Sequence, residues 1–222
     1  MRPIGSASLA AAVAASALIG TAAAATLPAG TSAVPRCPPT GVRVLARGRL
    51  MRVYATGAGA SRGPVQACLA GRRGHMTLMA ARGALPGLGG RSLAVAAWSG
   101  PLVAYTLTSF GVDSGTTTLL VADVAARRVI RELPVGRYVD AGFAGYERAT
   151  KIVLGPEGAV GWIAATAERG RPGPLYSVHA AATIGEPRVL DEGPDIGPGS
   201  LTVTGKILHW WHAGVERSAR LP

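Results

Sequence analysis

Acidic residues are missing from the first half of this sequence. Residues 26–112 hold ten arginines (36, 43, 47, 49, 52, 62, 72, 73, 82 and 91) and no Asp or Glu. Residues 113–222 hold 12 basic and 12 acidic residues, so the net charge of +11 belongs to the N-terminal part. Lysine is also scarce, with two against 21 arginines. A GC-rich coding bias accounts for Arg over Lys, but not for the missing acids. Cysteine occurs twice, at Cys37 and Cys68, without the Cys-x-x-Cys spacing of a redox or zinc pair. The glycine run at 57–61 is not followed by Gly-Lys-Ser/Thr, which argues against a phosphate cradle and for a hairpin loop.

What is present begins with an apolar, alanine-rich run after Met1-Arg2-Pro3. It ends in small residues at Ala23 and Ala25, the pattern of a secretory signal peptide over residues 1–25. Ser16, Gly20 and Thr21 interrupt the run and no basic flank follows, which disfavours a membrane anchor and predicts no transmembrane segment in the mature chain. Residues 26–36 read as a linker. Export makes Cys37–Cys68 an expected disulfide, worth about 3 kcal/mol for a loop of this length.

The domain, residues 37–222, reads as all-β. Residues 102–107 alternate as a pleated strand does, and the glycines and Asp at 110–115 suit a hairpin loop. Residues 116–124 hardly alternate, as expected of a strand covered on both faces. A helix through residues 119–130 is the rival, and it would place Arg127 and Arg128 on an apolar stripe.

Four turns recur: Arg47-Gly48, Ser99-Gly100, Glu157-Gly158 and Thr204-Gly205, spaced 52, 58 and 47 residues apart. Each glycine is followed two residues later by an aliphatic and four to six later by an aromatic: Tyr54, Tyr105, Trp162 and Trp210. This predicts four antiparallel sheet units, at about 37–80, 92–134, 150–192 and 199–221. The last has room for only three strands.

The segments LLVADVAARRVIREL (119–133), KIVLGPEGAVGWIA (151–164) and SLTVTGKILHWW (200–211) carry a family resemblance. They resemble secreted bacterial β-propeller-like proteins, the broad group with TolB-type and tryptophan–aspartate-type repeats. The resemblance implies four-stranded blades in which the third strand ends at an Asp-containing turn, here Asp123; with four units, either the segment after the signal peptide completes the last one or the ring is open or incomplete. A β-sandwich of the same hairpins is the alternative fold. The group includes enzymes, binders and scaffolds, so the resemblance does not choose a function.

Among candidate chemical groups, His209-Trp210-Trp211-His212 is the most suggestive. Residues three apart on a strand face opposite ways, so these histidines do not share a metal, and the tryptophans are expected to pack one on each neighbouring unit. Asp191, Glu192 and Asp195 read as an exposed acidic turn whose spacing does not match an EF-hand calcium loop. His75 and His179 lack an adjacent acid partner. No metal or cofactor is called for.

The expected function is therefore a secreted, non-catalytic binding or scaffold module. Its basic first unit, with Arg43, Arg47, Arg49 and Arg52, would contact an anionic cell-envelope polymer or membrane surface. Export and the lack of aromatics among these arginines argue against nucleic acid. The alternative is an extracellular hydrolase, which would need His179, His209 or His212 beside a carboxylate from another unit.

Overall fold

The computed structural model describes residues 37–57, 63–80, 89–139 and 145–222. The expected leader (1–25), the linker (26–36) and most of the glycine run at 57–61 lie outside the described residues. Apart from one 3-10 turn, Pro156–Gly158, every regular element described is a strand. None of the described helices is long and apolar enough to cross a membrane.

The first sheet holds β1 (Arg43–Arg47), β2 (Met51–Ala55), β3 (Val65–Leu69) and β4 (Met76–Met79) in chain order. β4 follows the glycines at 71 and 74, in a stretch with no strand pattern of its own. The second sheet has eight strands, again in chain order. These are β5 (Gly90–Ser99), β6 (Leu102–Phe110), β7 (Ser114–Asp123), β8 (Arg128–Val139), β9 (Gly145–Leu154), β10 (Val160–Glu168), β11 (Leu175–Ala181) and β12 (Arg188–Gly193). The third sheet has three: β13 (Thr202–Thr204), β14 (Ile207–His212) and β15 (Val215–Arg220). All pairings are antiparallel and none of the sheets closes on itself.

The eight-stranded sheet is two four-stranded halves. β8 and β9 meet over only Arg137↔Glu147, Tyr138↔Tyr146 and Val139↔Gly145, near the end of β8. Beyond that short seam the halves fold over and pack face to face. Leu119, Val121 and Leu133 of one half share a core with Ile152, Leu154 and Trp162 of the other. The described strands thus form four units of four, four, four and three strands.

The four recurrent glycine turns each join the first and second strands of a unit: β1–β2, β5–β6, β9–β10 and β13–β14. Gly100, Gly158 and Gly205 have positive φ, a conformation that other residues adopt only with strain. The aromatic after each turn lies on the second strand, and all four, Tyr54, Tyr105, Trp162 and Trp210, are buried.

Strand parity explains the core. On β7, Leu120 and Ala122 pack toward the first sheet, while Leu119 and Val121 pack toward β9–β10. The run without alternation is therefore a strand covered on both faces, and the helical alternative is excluded. On β10, Val160, Trp162 and Ala164 face the second unit, while Ile163 faces the last sheet. Asp123 ends β7, the third strand of its unit, and its Oδ1 accepts from the N–H of Ala125 (2.9 Å) and Ala126 (3.0 Å). That closes the turn into β8.

One expectation fails here. Trp210 packs inward, but Trp211 is 49% exposed and is not part of any core cluster of the described residues. Among the described residues, those of the last sheet's core face pack against the third unit, and Trp211 is on the other face.

Candidate functional site

The two cysteines are joined: Cys37 and Cys68 form a disulfide with Cα atoms 5.8 Å apart, tying the start of the domain to β3.

Three of the four singled-out arginines gather at one end of the first sheet. Arg47 and Arg52 stand directly opposite each other across β1 and β2. Met51, Val53 and Ala55 face the core, so Arg52 and its partner Arg47 lie on the opposite face. Arg49 sits in the connecting turn and is exposed. The Arg52 guanidinium donates to the carbonyl of Met51 (2.8 Å) and to that of Gly48, and so braces the turn. Arg43 is not part of this group. It lies at the far end of β1, about 13 Å away along the strand, opposite the core-facing Ala55. Among the described residues, no ion pair engages any of the four.

An aromatic joins them that the sequence does not signal. Trp98, near the end of β5, lies against Gly48, where an added Cβ would come within 2.8 Å of its indole nitrogen. The ring is 46% exposed. The hairpin thus has a flat aromatic face beside it. Nothing in the sequence spacing brings residue 98 to residue 48; only the packing of the first two units does.

A second polar cluster lies between β12 and the last sheet. Asp191 and Glu192 are not an exposed turn; they belong to a strand, and the Asp191 side chain is 8% exposed. Asp191 Oδ2 accepts from Trp210 Nε1 (2.7 Å) and contacts His212 Nδ1 (2.9 Å). Oδ1 accepts from the Glu192 N–H (2.9 Å) and from Arg217 (3.4 Å). Burial alone would raise the Asp191 pKa. The hydrogen bonds from Trp210 and His212, the His212 charge and the Glu192 N–H outweigh it and hold the carboxyl below its usual range. A histidine and a carboxylate from different units therefore do meet, yet the arrangement is structural. All four acceptor positions of the carboxylate are used. The other side of the imidazole lies on Gly193, where a Cβ would be 2.7 Å from Nε2. His209 turns the other way, to Glu216 (Nδ1 to Oε1, 3.2 Å), so the two histidines have separate partners.

His179 has a partner two residues away. Ser177 Oγ lies 2.7 Å from its Nε2, and Trp162 stacks on the ring at 4.9 Å between centroids. Burial lowers the His179 pKa, against the opposing influence of Glu147 and Glu192. The result resembles a nucleophile and base, without the rest of a hydrolytic site. Ser177 is in the middle of β11, paired on both sides with Ala164 and Glu192. Backbone N–H groups there serve the ladders to β10 and β12.

No family model, curated protein or solved structure matches the chain.

Proposed function

We propose that this protein is an exported, non-catalytic binding module, and that its first hairpin, with Arg47, Arg49 and Arg52 beside Trp98, holds an anionic polymer or surface of the cell envelope. The observation that carries this reading is the direct opposition of Arg47 and Arg52 on one face of a sheet without a single carboxylate. Like charges opposite each other on a sheet are mutually unfavourable, by up to about 1 kcal/mol. An anion bound between them relieves that repulsion. Guanidinium groups suit phosphate and carboxylate because each offers two parallel donors. The disulfide is consistent with an oxidising compartment.

The scaffold fits a propeller-like reading, in which each unit is a blade and the ring is open or incomplete. Its support is the shared sense of packing: Tyr105, Trp162 and Trp210 each point back toward the preceding unit. Tyr54 points the same way, away from the second unit. A sandwich of stacked hairpins uses the same contacts.

The test is binding of the chain to envelope fragments at rising salt, with Arg47, Arg49 and Arg52 replaced by Gln. Binding should weaken with salt in the native chain and fall about tenfold or more in the triple variant. Arg43→Gln should have a smaller effect, since it lies apart. Binding that is insensitive to both salt and the triple replacement would refute the reading.

A further inference from the structure

Among the described residues, β15 is an edge strand of the three-stranded sheet. Residues 215–218 are exposed along it, and Val215 is 62% accessible. The Leu221 N–H donates to the Lys206 carbonyl at 2.8 Å, which fixes the phase of the ladder with β14. Odd-numbered residues of β15 therefore hydrogen-bond inward to β14. The even-numbered ones, Glu216, Ser218 and Arg220, direct their N–H and C=O groups outward. No hydrogen bond of the described residues outside the ladder engages those groups.

We propose that β15 pairs antiparallel with β15 of a second copy of this chain, about a two-fold axis at Ser218, to give a continuous six-stranded sheet. The charges select both partner and register. With Ser218 opposite its own copy, Glu216 faces Arg220 of the second chain, and Arg220 faces Glu216. Both pairs are of opposite sign, and Arg217 falls opposite the uncharged Ala219. The same three outward-directed residues that need backbone partners then supply them to each other. Sliding by one residue on each chain brings Arg217 opposite Arg217, and a slide the other way loses both ion pairs. A one-residue offset would place outer-face side chains against inner-face ones, which the pleat forbids. Edge strands are often blunted by charge; here the charges are self-complementary and specify a partner. Trp211 and Ile207 of β14, both exposed, lie on the outer face that the joined sheet would extend. Residues 26–36 are the competing occupant from the same chain, but Pro28 and Pro35 each lack the N–H that strand addition requires.

Sedimentation velocity on the full chain over a concentration series tests this. The native chain should dimerise. Glu216→Arg alone and Arg220→Glu alone should each weaken the dimer about tenfold or more, since each places like charges opposite each other twice. The double exchange should restore it. All three replacements are on exposed positions, so folding is retained and can be checked by circular dichroism. Because the described cysteines are both in the disulfide, Ser218→Cys adds a single thiol and should oxidise to a covalent dimer. Thr204→Cys, on the opposite edge of the same sheet, should not. A chain monomeric throughout overturns the proposal. So does a dimer indifferent to both charge reversals, or one that forms only after residues 26–36 are removed.

Discussion

Replacing Asp191 with Ala should destabilise the protein by about 2–3 kcal/mol, because the buried Trp210 indole and the His212 ring both lose their acceptor. Urea unfolding measures it; a loss under about 0.5 kcal/mol would mean that water replaces the carboxylate. Two residues also set an acid limit. The His179 pKa is lowered from its ordinary 6.5 in the folded state, so the unfolded chain takes up that proton first. Its stabilising contribution is whole above pH 6.5 and is lost as pH falls through the lower folded value. Asp191, also lowered, adds a second loss below its ordinary 3.8. His179→Gln should flatten the first step of the stability profile and leave the second. If the first step survives that replacement, another group is responsible. None of this was legible in the sequence. Asp191 and Trp210 are separated by 19 positions, and an Asp-Glu pair beside Gly-Pro reads as a turn until β11 is seen to pair with it.

Between elements, the contact of the third unit with the last sheet depends on a missing side chain. A Cβ at Gly161 would come within 2.8 Å of both methyl carbons of Leu208, so β14 settles on β10 only because residue 161 is glycine. Gly161→Val should cost about 1–3 kcal/mol by overpacking. Adding Leu208→Ala to Gly161→Val should recover part of that, a coupling that a double-mutant cycle by urea unfolding would expose. Strictly additive losses would mean that the two positions do not meet. The strands themselves were largely readable. The Gly turns with their following aromatics marked the first hairpin of every unit, because a positive φ at Gly100, Gly158 and Gly205, the close approach of Trp98 at Gly48, and a buried ring on each second strand all leave a residue signature. β4 was not readable: Met76–Met79 is four residues among glycines, and only its pairing with β3 makes it a strand. Trp211 misled, because alternation tells which face a residue takes and not whether anything covers that face.

For the whole molecule, the disulfide closes a segment with its cysteines 31 positions apart at the start of a chain otherwise held by adjacent-unit packing. Reducing it should lower stability by about 3 kcal/mol in the chain-entropy picture. Urea unfolding with and without reductant measures this, and an unchanged midpoint would show that the first sheet holds without it. The central claim is that the basic hairpin of that sheet is where the protein meets its partner. Amide hydrogen exchange, with and without a phosphate polymer such as polyphosphate, locates the contact directly. Added protection in Arg43–Arg47 and Met51–Ala55, with none in Thr202–Thr204 or Ile207–His212, is the result predicted. Protection confined to other strands, or absent while the polymer is bound, would contradict it.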